Sequence, residues 1–215
     1  MGAAPAPAFA GAWVSVKEQS ILTAAVGEQE DGWNYESGLY WEQPLDEGWS
    51  LVATPWSLNG PSAGPDYWKA ETVISLKWAV SEREGAVSAA QAGLVWRSDL
   101  AECGETGMEL RWLQGIAPRA WDGAFVNLEA AARVHDGGCA GARFDLTAGT
   151  RAGSDWLTLA ELFTDAPEGG DLSVKAQLSF VWFGAEADIG GVQLGLRAPL
   201  DGADAPVMLV LGIWR

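Results

Sequence analysis

The sequence is poor in basic charge, cysteine and histidine, and it contains no long apolar run. Its 13 Lys and Arg stand against 29 Asp and Glu, a formal charge of −16. Nucleic-acid binding needs a basic face, so nucleic acid is excluded as a partner. One histidine, His135, and two cysteines, Cys103 and Cys139, outside any CxxC pair, do not make a zinc site. No apolar stretch reaches the roughly 18 residues that a membrane-spanning helix requires. No glycine-rich phosphate loop or nucleophile elbow is present, so no cofactor, no metal and no catalytic residue is expected. A hydrophobic content of 48% and a mean hydropathy of +0.03 also exclude an unfolded chain.

Tryptophan, by contrast, is abundant, with 13 in 215 residues. Apolar residues recur at period two. From Trp68 to Val80 one parity reads Trp68, Ala70, Thr72, Ile74, Leu76, Trp78, Val80, and the other carries Lys69, Glu71 and Lys77. Leu172 to Trp182, Val126 to Val134, and Ala142 to Ala148 alternate in the same way. Helical spacing would scatter those charges around the apolar face, so these segments are predicted to be strands.

Gly-, Asp- and Pro-containing clusters separate segments of similar length. The predicted strands are 14–26, 33–43, 48–57, 67–80, 86–98, 107–116, 122–135, 140–151, 155–164, 171–183, 187–198 and 205–215. About twelve strands, an even number, suit a closed antiparallel transmembrane β-barrel in one domain, residues 11–215. Residues 1–10 read as a leader, with Ala8-Phe9-Ala10 fitting the small-x-small cleavage pattern of a secretory signal.

Alternation alone does not say which face points inward, because a soluble β-sandwich alternates too. Charge and tryptophan decide it. A basic side chain facing lipid costs about 2–4 kcal/mol at the bilayer midplane. Lys69, Glu71, Lys77, Glu109, Arg111, Glu129, Arg133, Arg143, Asp145, Lys175 and Arg197 are therefore predicted to line the lumen. If the first strand rises from the periplasmic side, Trp13, Trp41, Trp49, Trp78, Trp121, Trp156, Trp182 and Trp214 fall at periplasmic ends. Trp33, Trp56, Trp68 and Trp96 fall at outer ends, and Trp112 falls mid-strand. Two such rings make an aromatic girdle, with indoles anchored at the headgroups.

The last strand, Val207-Met208-Leu209-Val210-Leu211-Gly212-Ile213-Trp214-Arg215, resembles the C-terminal strand of bacterial outer-membrane β-barrel proteins, with the aromatic residue penultimate. Pro44-Leu45-Asp46-Glu47-Gly48-Trp49 resembles their short periplasmic turns. The resemblance implies residence in the outer membrane of a Gram-negative bacterium and insertion by the barrel-assembly machinery. Its partners would be membrane lipid and lipopolysaccharide. A monomer is expected, and the class is porin-like.

The leading functional expectation is a small channel for polar solutes. The alternatives are a structural or interaction barrel with a plugged lumen, and a lipid-modifying enzyme built on His135. Cys103 and Cys139 fall in loops on the same side, which leaves either one disulfide or two free thiols. Glu28, Glu30, Asp31, Asp66, Asp165 and Glu168 are expected in outer loops, as solvated acids.

Overall fold

The computed structural model describes residues 11–63, 67–98, 103–167, 171–184, 190–202 and 205–215. The leader, Asp66 and Glu168 lie outside these residues. Twelve strands follow one another: β1 (Gln19–Gln29), β2 (Gly32–Asp46), β3 (Trp49–Asn59), β4 (Trp68–Arg83), β5 (Ala86–Arg97) and β6 (Thr106–Ile116), then β7 (Phe125–His135), β8 (Ala140–Ala152), β9 (Trp156–Pro167), β10 (Ser173–Phe183), β11 (Gly191–Pro199) and β12 (Met208–Trp214). Each strand pairs antiparallel with its chain neighbours, and β1 pairs with β12 from Ile21↔Trp214 to Val26↔Leu209. This last pairing closes the barrel and leaves no strand edge to be satisfied by water, which is what a bilayer demands.

The turns follow from local chemistry. The Glu47-Gly48 and Glu84-Gly85 turns place a glycine at φ 75° and 74°, a conformation costly for a residue with Cβ. The start of β1 and the end of β12 lie at one end of the barrel, where Ser20 and Arg215 exchange backbone hydrogen bonds of 2.8 Å. We call this the terminal end and the opposite end distal. Strands of about eleven residues, at about 3.3 Å per residue and tilted, cover roughly the 25 Å apolar height of an outer-membrane barrel.

The two faces separate by chemistry. Along β4, Ile74 and Leu76 point out and are exposed, whereas Glu71, Val73, Ser75 and Lys77 point in and are buried. Leu94 on β5, Met108 and Leu110 on β6, Phe180 on β10 and Leu194 on β11 continue the outward apolar surface. Leu94 is 67% exposed while Lys77 is 0% exposed, the reverse of a water-soluble fold.

The first strand departs from its predicted range. It begins at Gln19 rather than at residue 14. The preceding residues turn into the lumen, where Gly11 and Ala12 are buried. Residue 14 was expected to open the strand, but Ala12, Trp13 and Val14 pack as a core segment instead.

Candidate functional site

The lumen is the candidate site, and it has two unlike halves. At the terminal end the inward parity is apolar. Phe125, Leu157, Leu159, Val181 and Trp214 form a buried cluster, with Trp13, Ile21, Ala117 and Phe183 packed against it. Ala12, Val87, Ala89 and Leu113 form a second cluster, also in contact with Trp13. Each Phe, Leu or Val among them contributes about 1.5–3 kcal/mol by leaving water. Small residues make the room: a Cβ on Gly149 would lie 2.3 Å from the Phe125 ring, and one on Gly115 would lie 2.6 Å from the Trp13 indole.

Toward the middle, ion pairs cross the barrel. Arg133 on β7 donates two bonds to Glu71 on β4, at 2.7 and 2.8 Å, and a third to Glu109 on β6. Arg111 bridges Glu109 at 3.0 Å and Glu129 at 2.6 Å. Arg97 and Arg143 lie 3.5 and 3.4 Å from Glu71, and 3.9 and 3.7 Å from Asp165. On the opposite wall Arg197 pairs with Glu36 and donates to Gln177 at 2.8 Å. Gln177 continues the chain to Glu161 at 2.7 Å. Buried charges persist only when paired and hydrogen-bonded, and these are.

A third constellation sits on β2–β4. Glu42 and Lys77, both 0% exposed, pair at 3.1 Å. Glu42 also accepts from Ser50 at 2.6 Å, from Gln19 at 2.9 Å and from the Tyr40 hydroxyl.

In the distal half the lumen opens into a cavity of about 390 Å³. Glu36, Glu71, Asp145 and Asp165 line it together with Arg97, Arg143, Lys175 and Arg197. Its aromatic walls are Tyr40, Trp56 and Phe163, the last lying 5.5 Å beneath the Arg197 guanidinium. Lys175 has no hydrogen-bond or ion-pair partner among the described residues.

Each residue singled out in the sequence can now be placed. Glu71, Lys77, Glu109, Arg111, Glu129, Arg133, Arg143, Asp145, Lys175 and Arg197 stand on the inward parity, and Lys69 pairs in register with inward Leu58. The sequence reading missed Glu36, Glu42, Arg97 and Glu161. Asp165 belongs to β9 and the cavity wall, not to an outer loop.

The tryptophans need three corrections. Trp13 lies inside the lumen against Phe125. Trp56 stands opposite Glu71 and lines the cavity. Trp214 points inward and donates to Gln193 at 2.8 Å. All three sit on the inward parity, where end-of-strand position gave no information.

The remaining tryptophans fall in two groups. Trp41, Trp49, Trp78, Trp156 and Trp182 are on outward parity near the terminal end, with Trp49 stacked on Trp78 at 5.6 Å. Trp33, Trp68 and Trp96 are exposed near the distal end. Trp121 is exposed in a short 3-10 turn, and Trp112 is exposed on the outer face of β6.

Cys103 and Cys139 form a disulfide between the β5–β6 and β7–β8 loops. The same loops are joined by a Gly137 N–H to Cys103 carbonyl bond of 2.7 Å. His135 is buried at the distal end of β7, and its Nδ1 has no hydrogen-bond partner among the described residues.

No family model matches the sequence, and no curated protein does. Solved structures of similar fold include two of a KdgM porin. A KdgM porin superposes with a TM-score of 0.59 at 6% identity, covering 90% of this chain and 97% of the porin. The KdgM porin in complex with disordered oligogalacturonate gives 0.58 at 7% identity, with the same coverage. The chain therefore has the fold of outer-membrane β-barrel porins, a closed antiparallel barrel of 12 strands.

Proposed function

We propose that the protein is a small channel in the outer membrane of a Gram-negative bacterium, taking compact polar solutes and closed at its terminal end in the described conformation. The observation that carries this reading is the distal cavity of about 390 Å³, lined by four acids, four bases and aromatic side chains. A barrel with only a structural role gains nothing from hollow, charged lumen volume, because each buried charge costs desolvation. Acids and bases balance around the cavity, and most are already paired. A solute of large net charge would have to break those pairs. An uncharged or zwitterionic solute would not, and Trp56, Tyr40 and Phe163 offer flat faces for a ring. Lys175 adds one cation at the wall with no ion-pair partner among the described residues. The outer face suits membrane lipid and lipopolysaccharide as neighbours, assembly machinery would insert the barrel, and a monomer suffices for the lumen. No catalytic role is assigned.

The plugged, structural barrel stays as the second reading, favoured by the apolar clusters that fill the terminal half. Refolded protein in planar bilayers and in liposomes separates the two. The channel reading expects brief, low-conductance openings and liposome swelling that is faster with small neutral or zwitterionic solutes than with larger sugars. Silent bilayers and no swelling with any solute would leave only the plugged barrel.

A further inference from the structure

We propose that residues 11–15 are a releasable plug, docked across the terminal half of the lumen and latched there by Glu42 and Lys77. This rests on the channel reading and names its gate.

The segment is seated by side chains built for it. Ala12 is 0% exposed and packs on Val87, Ala89 and Leu113. Trp13 meets Phe125 edge to face, with ring centroids 6.4 Å apart. The indole occupies space that exists only because residue 115 is glycine, since a Cβ there would lie 2.6 Å from it. The polar latch is equally specific. Lys77 Nζ donates to the Trp13 carbonyl at 2.7 Å, and the Ser15 N–H donates to Glu42 Oε1 at 3.0 Å. Two fully buried, oppositely charged side chains are thus spent on the backbone of one short segment.

The segment can also leave. Its backbone belongs to no strand, so release breaks no rung of the barrel ladder. After release Lys77 remains paired with Glu42, which still accepts from Tyr40 and Ser50, so no lone charge is left behind. The plug site adjoins the cavity directly. Tyr40 lines the cavity and donates to Glu42, while Ile21 lines the cavity and packs on the apolar cluster. Withdrawal of the segment would extend the distal cavity toward the terminal end.

Planar-bilayer recordings of the full-length chain, a variant lacking residues 1–15 and Trp13→Ala test this, with heat-modifiable gel migration confirming folded barrels. Full-length protein should be closed most of the time. Deletion should give steady current, and Trp13→Ala should raise open probability about tenfold or more, as loss of a packed aromatic anchor implies. Equal conductance of all three would overturn the plug and leave the channel reading intact. Silence from all three, as folded barrels, would remove the channel reading and the gate with it. If the deletion variant does not fold, Trp13→Ala decides, and a variant as closed as the full-length chain overturns the proposal.

Discussion

The two halves of the lumen share one wall yet solve opposite problems. The terminal half is a dry core of Phe125, Leu157, Leu159, Val181, Trp13 and Trp214, packed like the interior of a soluble protein. The distal half is ion-lined, with arginines and carboxylates paired around a cavity. Apolar filling seals by excluding water. Paired ions leave a polar surface that water and solutes can share. The difference teaches that the barrel wall does not determine whether a lumen conducts. The inward residues do, together with whatever segment lies across them.

The largest effects should come from breaking each half at its centre. Arg133→Ala takes the nearest partner from Glu71 and Glu109, leaving Glu71 to Arg97 and Arg143 and Glu109 to Arg111, and should cost about 3 kcal/mol. Phe125→Ala should cost a similar amount, about 3–5 kcal/mol, from lost burial and a cavity. Denaturant unfolding in detergent micelles measures both. Conductance then sharpens the comparison: Phe125→Ala should leak current through the terminal half, whereas Arg133→Ala should not. If Phe125→Ala destabilises without raising conductance, the aromatic cluster is not the seal.

A smaller effect tests the outside against the inside. Leu94→Arg puts a guanidinium on the outward face and should lose about 2–4 kcal/mol of folding in lipid. A variant that folds in bilayers as well as the parent would mean that this face does not meet acyl chains. The smallest effect on stability, near zero, is expected for Lys175→Ala, because the ammonium has no partner to lose among the described residues. Reversal potentials in a salt gradient should nevertheless shift toward cation preference. An unchanged reversal potential would place Lys175 away from the ion path.

These halves also explain what the sequence could reveal. Strand number and the inward parity of β4, β7 and β8 were legible because charge stands on one face and apolar residues on the other. The signal fails where the lumen itself is apolar. On β9 the inward parity reads Leu157, Leu159, Glu161, Phe163, Asp165, and Trp156 to Ala160 is largely apolar on both faces, so Glu161 was not assigned to the lumen and Asp165 was read as an outer-loop acid. On β12 both faces are apolar and Trp214 looked like a girdle residue. On β2, Gly38 and the apolar run Leu39-Tyr40-Trp41 interrupt the pattern that would have joined Glu36 to Glu42. The lumen segment at 11–15 has no periodicity to read, because its side chains are positioned by tertiary contact alone.

Thiol reactivity from water tests the division of the lumen most directly. In a chain with Cys103 and Cys139 replaced by serine, Thr54→Cys places a thiol on the cavity wall and Ala89→Cys places one in the terminal core. A charged maleimide added to the folded barrel should label Cys introduced at 54 quickly and at 89 hardly at all. Equal, rapid labelling of both would show a continuous water column and contradict the sealed terminal half.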